Sequence, residues 1–141
     1  MITTAQLPEH FELTDTYVCF RPVLETTLEE GIDLVDEAIR YCRDNEIGCL
    51  LLDIRGLTGF ASPSVTDRFW FASRWAETSR GRVIMSILAP AELCLPDKIG
   101  VTVAMNRGLL CDVFEDEVEA VTWLQAHAGE AAAKRPPLSG R

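Results

Sequence analysis

Side chains that could do chemistry are few in this chain. Its two histidines, His10 and His127, lie far apart near opposite ends. Histidine is the usual base behind a serine or cysteine nucleophile, so a Ser–His–Asp or Cys–His arrangement has almost nothing to draw on. The five cysteines are Cys19, Cys42, Cys49, Cys94 and Cys111, none in a CxxC pair and most among apolar neighbours. That pattern reads as small buried hydrophobes in a reducing compartment, and a His/Cys zinc site lacks its usual ligands. No residue pair has nucleophile–base spacing. The expectation is a protein with no catalytic residues, metal or cofactor: not an enzyme.

Polar side chains gather in one stretch, RGLTGFASPS, after the apolar run IGCLLLDI. Asp53, Gly56, Thr58, Gly59, Ser62 and Ser64 are the candidates for a regulatory or phosphate-binding loop. Its glycines do not make a nucleotide loop, because neither GKS/GKT nor GxGxxG is present. Ser62 precedes Pro63, a favoured first helical residue. Ser62, or alternatively Ser64 with Asp67 three residues on, is therefore a plain N-cap. The free amides of the same helix end would also favour a phosphate. LLLDIRG looks like the acceptor strand of a response-regulator receiver, but the early strand ends in Arg21-Pro22, where a receiver has an acidic pair. Asp53 is accordingly expected to accept hydrogen bonds from the loop's amides.

The following segment, RFWFASRW, is crowded with aromatics. Val65, Phe69, Ala72 and Ala76 form the stripe expected to face a sheet. Trp70 and Phe71 then point about 130° to either side of it, and Trp75 sits near the boundary. Aromatics with arginine favour interface centres, so Trp70, Phe71 and Arg74 are candidates for a protein contact, by default a symmetric homodimer. Leu57 and Phe60 with Trp70 and Phe71 could instead line a pocket for a small apolar ligand.

The elements that must position these residues follow from patterning. The chain has 141 residues, enough for one core without staples. Phe11–Leu13 and Tyr17–Phe20 read as two strands around a polar turn. Thr26 and Thr27 open a helix with two overlapping capping-box options, Glu29 and Glu30. Leu28, Ile32, Val35, Ile39 and Cys42 make its inward stripe, and it should end near Asn45. IGCLLLDI is a continuous apolar run, as a strand covered on both faces reads, and GRVIMSILAP reads as another buried strand. A helix over 63–79 separates them; a third, near 97–107, stops at Gly108. LLCDVF is the last strand. Asp116 opens the last helix, with Val118, Val121, Leu124 and Ala128 inward. The order β-β-α-β-α-β-α-β-α predicts an α/β fold: a single five-stranded, mostly parallel sheet with an antiparallel edge strand and about four helices. One domain over 1–128 and a disordered tail over 129–141 are expected.

The order of elements, LLLDIRGLTGF and the closing VTVAMNRGLLCDVFEDEVEAVTWL resemble SpoIIAA-like proteins of bacteria over about residues 11–126. That group is related to STAS domains, the fold of anti-sigma-factor antagonists, and by fold to CRAL-TRIO lipid-binding proteins. The STAS pattern, close to D-L-S-G-V-x-F-I-D-S-S-G, places its switch serine on Ser62. This chain has Ala61 where the pattern has Asp and Pro63-Ser64 after the serine, so the resemblance implies the fold more than a phospho-switch. It implies a non-enzymatic binding or regulatory module acting through an unknown protein partner.

The net charge of −9, with basic residues scattered, argues against nucleic acid and anionic membranes. No apolar run is long enough to span a bilayer, and MITTAQLPEH does not read as a secretion signal. A cytoplasmic location is expected.

Overall fold

A computed structural model describes residues 7–94 and 98–134, with backbone alone at 131–134. Five strands form one sheet in the order β1-β2-β4-β6-β7, where β1 is Phe11–Leu13, β2 Val18–Phe20, β4 Cys49–Asp53, β6 Ile84–Leu88 and β7 Cys111–Phe114. β1 runs antiparallel to β2 at the edge, and every other pairing is parallel. The expected sheet, with its antiparallel edge strand, is the one observed.

Four helices cover it: α1 (Leu28–Asp44), α2 (Val65–Ser79), α3 (Ile99–Asn106) and α4 (Glu117–Lys134). Each right-handed crossover moves one strand further in the same direction, which puts α1, α2 and α3 side by side on one face. α2 packs between α1 and α3, while α4 lies against β4, β6 and β7 on the other face. This explains the unbroken apolar runs. Leu50 and Leu52 point into the α1–α3 core, Cys49 and Leu51 into the α4 core, and all four are buried. Each such leucine contributes roughly 2 kcal/mol by leaving water.

Helix ends follow local chemistry. For α1, Thr27 is the cap: its hydroxyl accepts from the Glu30 amide at 3.1 Å, and the Glu30 carboxylate accepts from the Thr27 amide at 3.1 Å. α3 occupies part of the expected 97–107 helix, and Asp97 lies outside the described residues. α4 begins behind Asp116, whose carboxylate accepts from the Glu119 amide. Ala120 and Leu124 are buried, with Val121 and Ala128 packed against the same core as expected, whereas Val118, also expected inward, is exposed. The buried Ser86 hydroxyl on β6 donates to the Ala120 carbonyl and seats the helix there. α4 also runs to Lys134, past residue 128 where a disordered tail was expected. Glu130-Ala-Ala-Ala-Lys134 is made of strong helix formers, which outweigh Gly129. Residues 135–141 of that expected tail lie outside the described residues.

A small second sheet was not foreseen. β3 (Leu24–Glu25) pairs in parallel with β5 (Leu57–Thr58), tying the connection after β2 to the loop after β4. Gly56 makes that approach possible: a Cβ there would lie 2.7 Å from the Pro22 carbonyl oxygen.

Candidate functional site

The polar loop after β4 is a folded clasp. Leu24 and Thr26 donate to the carbonyls of Gly56 and Thr58 at 3.1 and 2.7 Å. Gly59 turns the chain with φ of +97°, a conformation glycine adopts freely. Thr58 is exposed, whereas Leu57 is buried beneath the clasp.

Asp53 stands at the end of β4 and is 2% exposed. It accepts one bond from the loop, the Arg55 amide at 3.0 Å, as expected of a structural carboxylate. Its larger partners are guanidinium groups. Arg55 donates from Nε and a terminal nitrogen at 3.0 and 2.9 Å, and Arg21 on the other side donates to the same carboxylate. Glu117, at the start of α4, accepts from both arginines. Burial pushes the Asp53 carboxyl upward, but the Arg55 bonds and the charges of Arg55 and Arg21 more than offset this and hold it below its ordinary value. A carboxylate so fully occupied serves as an anchor between strand ends.

The serines divide their roles. Ser64 caps α2: its hydroxyl accepts from the Asp67 amide and the Asp67 carboxylate accepts from the Ser64 amide, both at 3.0 Å. The helix therefore starts at Val65, two residues later than expected, and Pro63 precedes it. Ser62 caps nothing. Its exposed hydroxyl accepts from Arg68 at 3.2 Å.

α2 is rotated from the expected orientation. Arg68, Ala72, Trp75, Ala76 and Ser79 are buried, while Val65 and Phe69, placed inward by hydropathy, are 55% and 49% exposed. Small Ala72, Ala76 and Ser79 let the helix approach the sheet closely, and burial of Trp75 outweighs that of Phe69. Phe71 packs on Trp75 with ring centroids 4.6 Å apart. Trp70 is half exposed. Arg74 is already engaged: it donates to Asp33 on α1 at 2.7 Å and to buried Asp36 at 3.5 Å, with its guanidinium 5.9 Å from the Trp70 ring centre.

Between the sheet and helices α1, α2 and α3 lies a cavity of about 120 Å³. Leu57, Phe60 and Phe71 line it, as a pocket lining was expected to use them; Trp70 does not. Trp75, Ala104 and Leu52 complete much of the apolar wall, and the lining reaches exposed Lys98. One charged group is buried in that wall, Arg68 at 9% exposure. A single arginine in an aromatic helix gave no sequence signal of this role.

The strand order never reverses, so the sheet has no switch-point crevice of the kind that holds ligands in many α/β proteins. The room lies within the helix-covered layer. Among the described residues, no group of three or more His, Cys, Asp or Glu side chains is placed to hold a metal ion, and no helix is long and apolar enough to cross a membrane.

No protein-family model matches the chain, and no curated protein matches it. Among solved structures it is similar to the crystal structure of an uncharacterized DUF3478-family protein with a SpoIIAA-like fold from Shewanella loihica PV-4. Identity is 19%, over 81% of this chain and 90% of that one, with a TM-score of 0.45.

Proposed function

We propose that the protein is a non-enzymatic binding module whose ligand is a small apolar molecule held between the sheet and helices α1–α3. The cavity of about 120 Å³ supports this reading. Close-packed interiors leave few voids larger than a water molecule, and an apolar cavity of about 150 Å³ takes up benzene. The space therefore suits a compact body of roughly one ring. A drug-sized ligand needs a pocket of at least about 300 Å³, so an extended lipid chain fits poorly.

The test uses toluene. Toluene should raise the thermal midpoint of the wild type and shift the NMR signals of methyl groups on Leu52 and Leu57. Ala104→Leu, which fills the cavity from α3, should abolish both effects. A wild type indifferent to toluene would overturn the proposal.

A second reading rests on a separate observation. Val65, Phe69 and Trp70 stand about half exposed on α2, which suits a homodimer or another protein partner.

A further inference from the structure

The cavity wall contains one feature that an apolar ligand alone does not explain. Arg68 is nine-tenths buried, and among the described residues every hydrogen bond it makes goes to a neutral acceptor. Its Nε donates to the Pro63 carbonyl at 3.2 Å, one terminal nitrogen to the Leu93 carbonyl at 3.3 Å, and the other to the Ser62 hydroxyl at 3.2 Å. Other arginines of α1, α2 and the strand ends, although more exposed, pair with acids: Arg21 with Asp53 and Glu117, Arg43 with Asp44, Arg74 with Asp33 and Asp36. Among the described residues, no carboxylate lies within 4.0 Å of Arg68.

A buried charge without a counter-charge is costly to hold, and proteins normally pair it. Three carbonyl or hydroxyl bonds fix the position of the guanidinium without neutralising it. Arginine carries five N–H donors in a planar fork. Three are used here, leaving one on each terminal nitrogen, enough for both oxygens of one carboxylate. The wall around it is otherwise apolar, apart from Lys98 at the outer end, and Lys98 is already bound to Asp112 at 2.8 Å. The site thus offers a compact, mostly apolar space with one positive fork held in its wall.

We propose that the ligand is a small apolar carboxylate, its apolar body in the cavity and its carboxylate on Arg68. This rests on the cavity being a ligand site, as proposed above. A low-dielectric wall strengthens a charge-assisted bond relative to water, so the carboxylate supplies selectivity as well as affinity. The fixed guanidinium also favours the charged ligand over a neutral one of the same shape, which leaves the cation without a counter-charge.

The experiment compares benzoate with benzamide, near-isosteres differing in charge, and uses toluene as the uncharged reference. Binding is followed by titration calorimetry and NMR. Benzoate should bind roughly tenfold or more tightly than benzamide. Arg68→Met should erase that difference, and Arg68→Lys should retain part of it. If toluene binds the wild type and benzoate binds no better than benzamide, the carboxylate assignment is overturned and the apolar site stands. If none of the three binds, the site itself is overturned, and this inference with it. Should Arg68→Met fail to fold, the benzoate–benzamide ratio on the wild type decides the matter alone.

Discussion

The indole N–H of Trp75 donates to the main-chain carbonyl of Ile32, 3.2 Å away, so that one side chain fastens α2 to α1 through the backbone. The same ring forms part of the cavity wall and packs on Phe71. Trp75→Phe keeps most of the apolar area but leaves that bond unmade, and should cost about 1–2 kcal/mol in urea unfolding. Toluene should alter the fluorescence of the wild type and have far less effect on that of the variant.

Asp53 should contribute to acid stability. Its folded-state carboxyl titrates below the ordinary value of 3.8, so the unfolded chain takes up the proton first. The stabilisation is complete above that value and is lost as pH falls through the depressed one. Asp53→Asn should lower stability near neutrality by about 2 kcal/mol, since Arg21 and Arg55 then lose their buried counter-charge and keep only Glu117 and, for Arg21, the longer contact with Glu12. Its stability should also fall less steeply than the wild type's as pH drops below about 4. Parallel acid curves, measured by urea midpoints, would contradict the assignment.

Two glycines should respond in opposite senses. Gly56→Ala would push a methyl group against Pro22 main chain and Val23, at 2.7 and 2.9 Å, and should cost about 1–3 kcal/mol by forcing β5 from β3. Gly129 lies within α4 with nothing inside 4 Å of an added Cβ. Gly129→Ala should therefore stabilise by about 0.5–1 kcal/mol. Thermal melts of the two variants provide the comparison.

If the outer face of α2 is a self-contact, Trp70→Ala should shift sedimentation toward monomer without lowering the melting temperature much, since Trp70 is half exposed. A wild type that sediments as monomer at every concentration would exclude the contact.

Thiol reactivity should be ordered by burial. Burial pushes the Cys42 and Cys111 thiols up to about 12 and that of Cys19 to about 11, while Cys94 is only partly covered. Since the thiolate is the reactive form, iodoacetamide near neutral pH should modify Cys94 first in the folded protein. Cys42 and Cys111 should react only at the rate of unfolding, as peptide mapping would reveal.

The sheet was legible because its signal is collective. Leu50–Leu52 is apolar without alternation and Ile84–Leu88 nearly so, with Ser86 between apolar neighbours, as a doubly covered strand requires, and the α1 stripe persists through several turns. The α2 face was misread because hydropathy ranks Val65 and Phe69 above Ala72 and Ser79, whereas close packing favours the small residues. β3 and β5 are two residues each and carry no period at all. The Arg21–Asp53–Glu117 cluster joins positions up to 96 apart in the chain, and Arg68 is marked only by the acids it lacks. Both are properties of three-dimensional neighbours, which one-dimensional spacing does not encode. Of the loop, the sequence identified the cap chemistry, leaving Ser62 and Ser64 as alternatives that the fold resolves to Ser64.

The unidirectional strand order has a kinetic consequence. A guest of the proposed kind, held between layers, should exchange through motions of α2 or α3 relative to the strands, whereas one resting in an open crevice need only diffuse away. Such helix displacements take microseconds to milliseconds. Capture should accordingly be slower than the encounter rate, and release should be governed by the frequency of that opening, giving a long residence for a modest affinity.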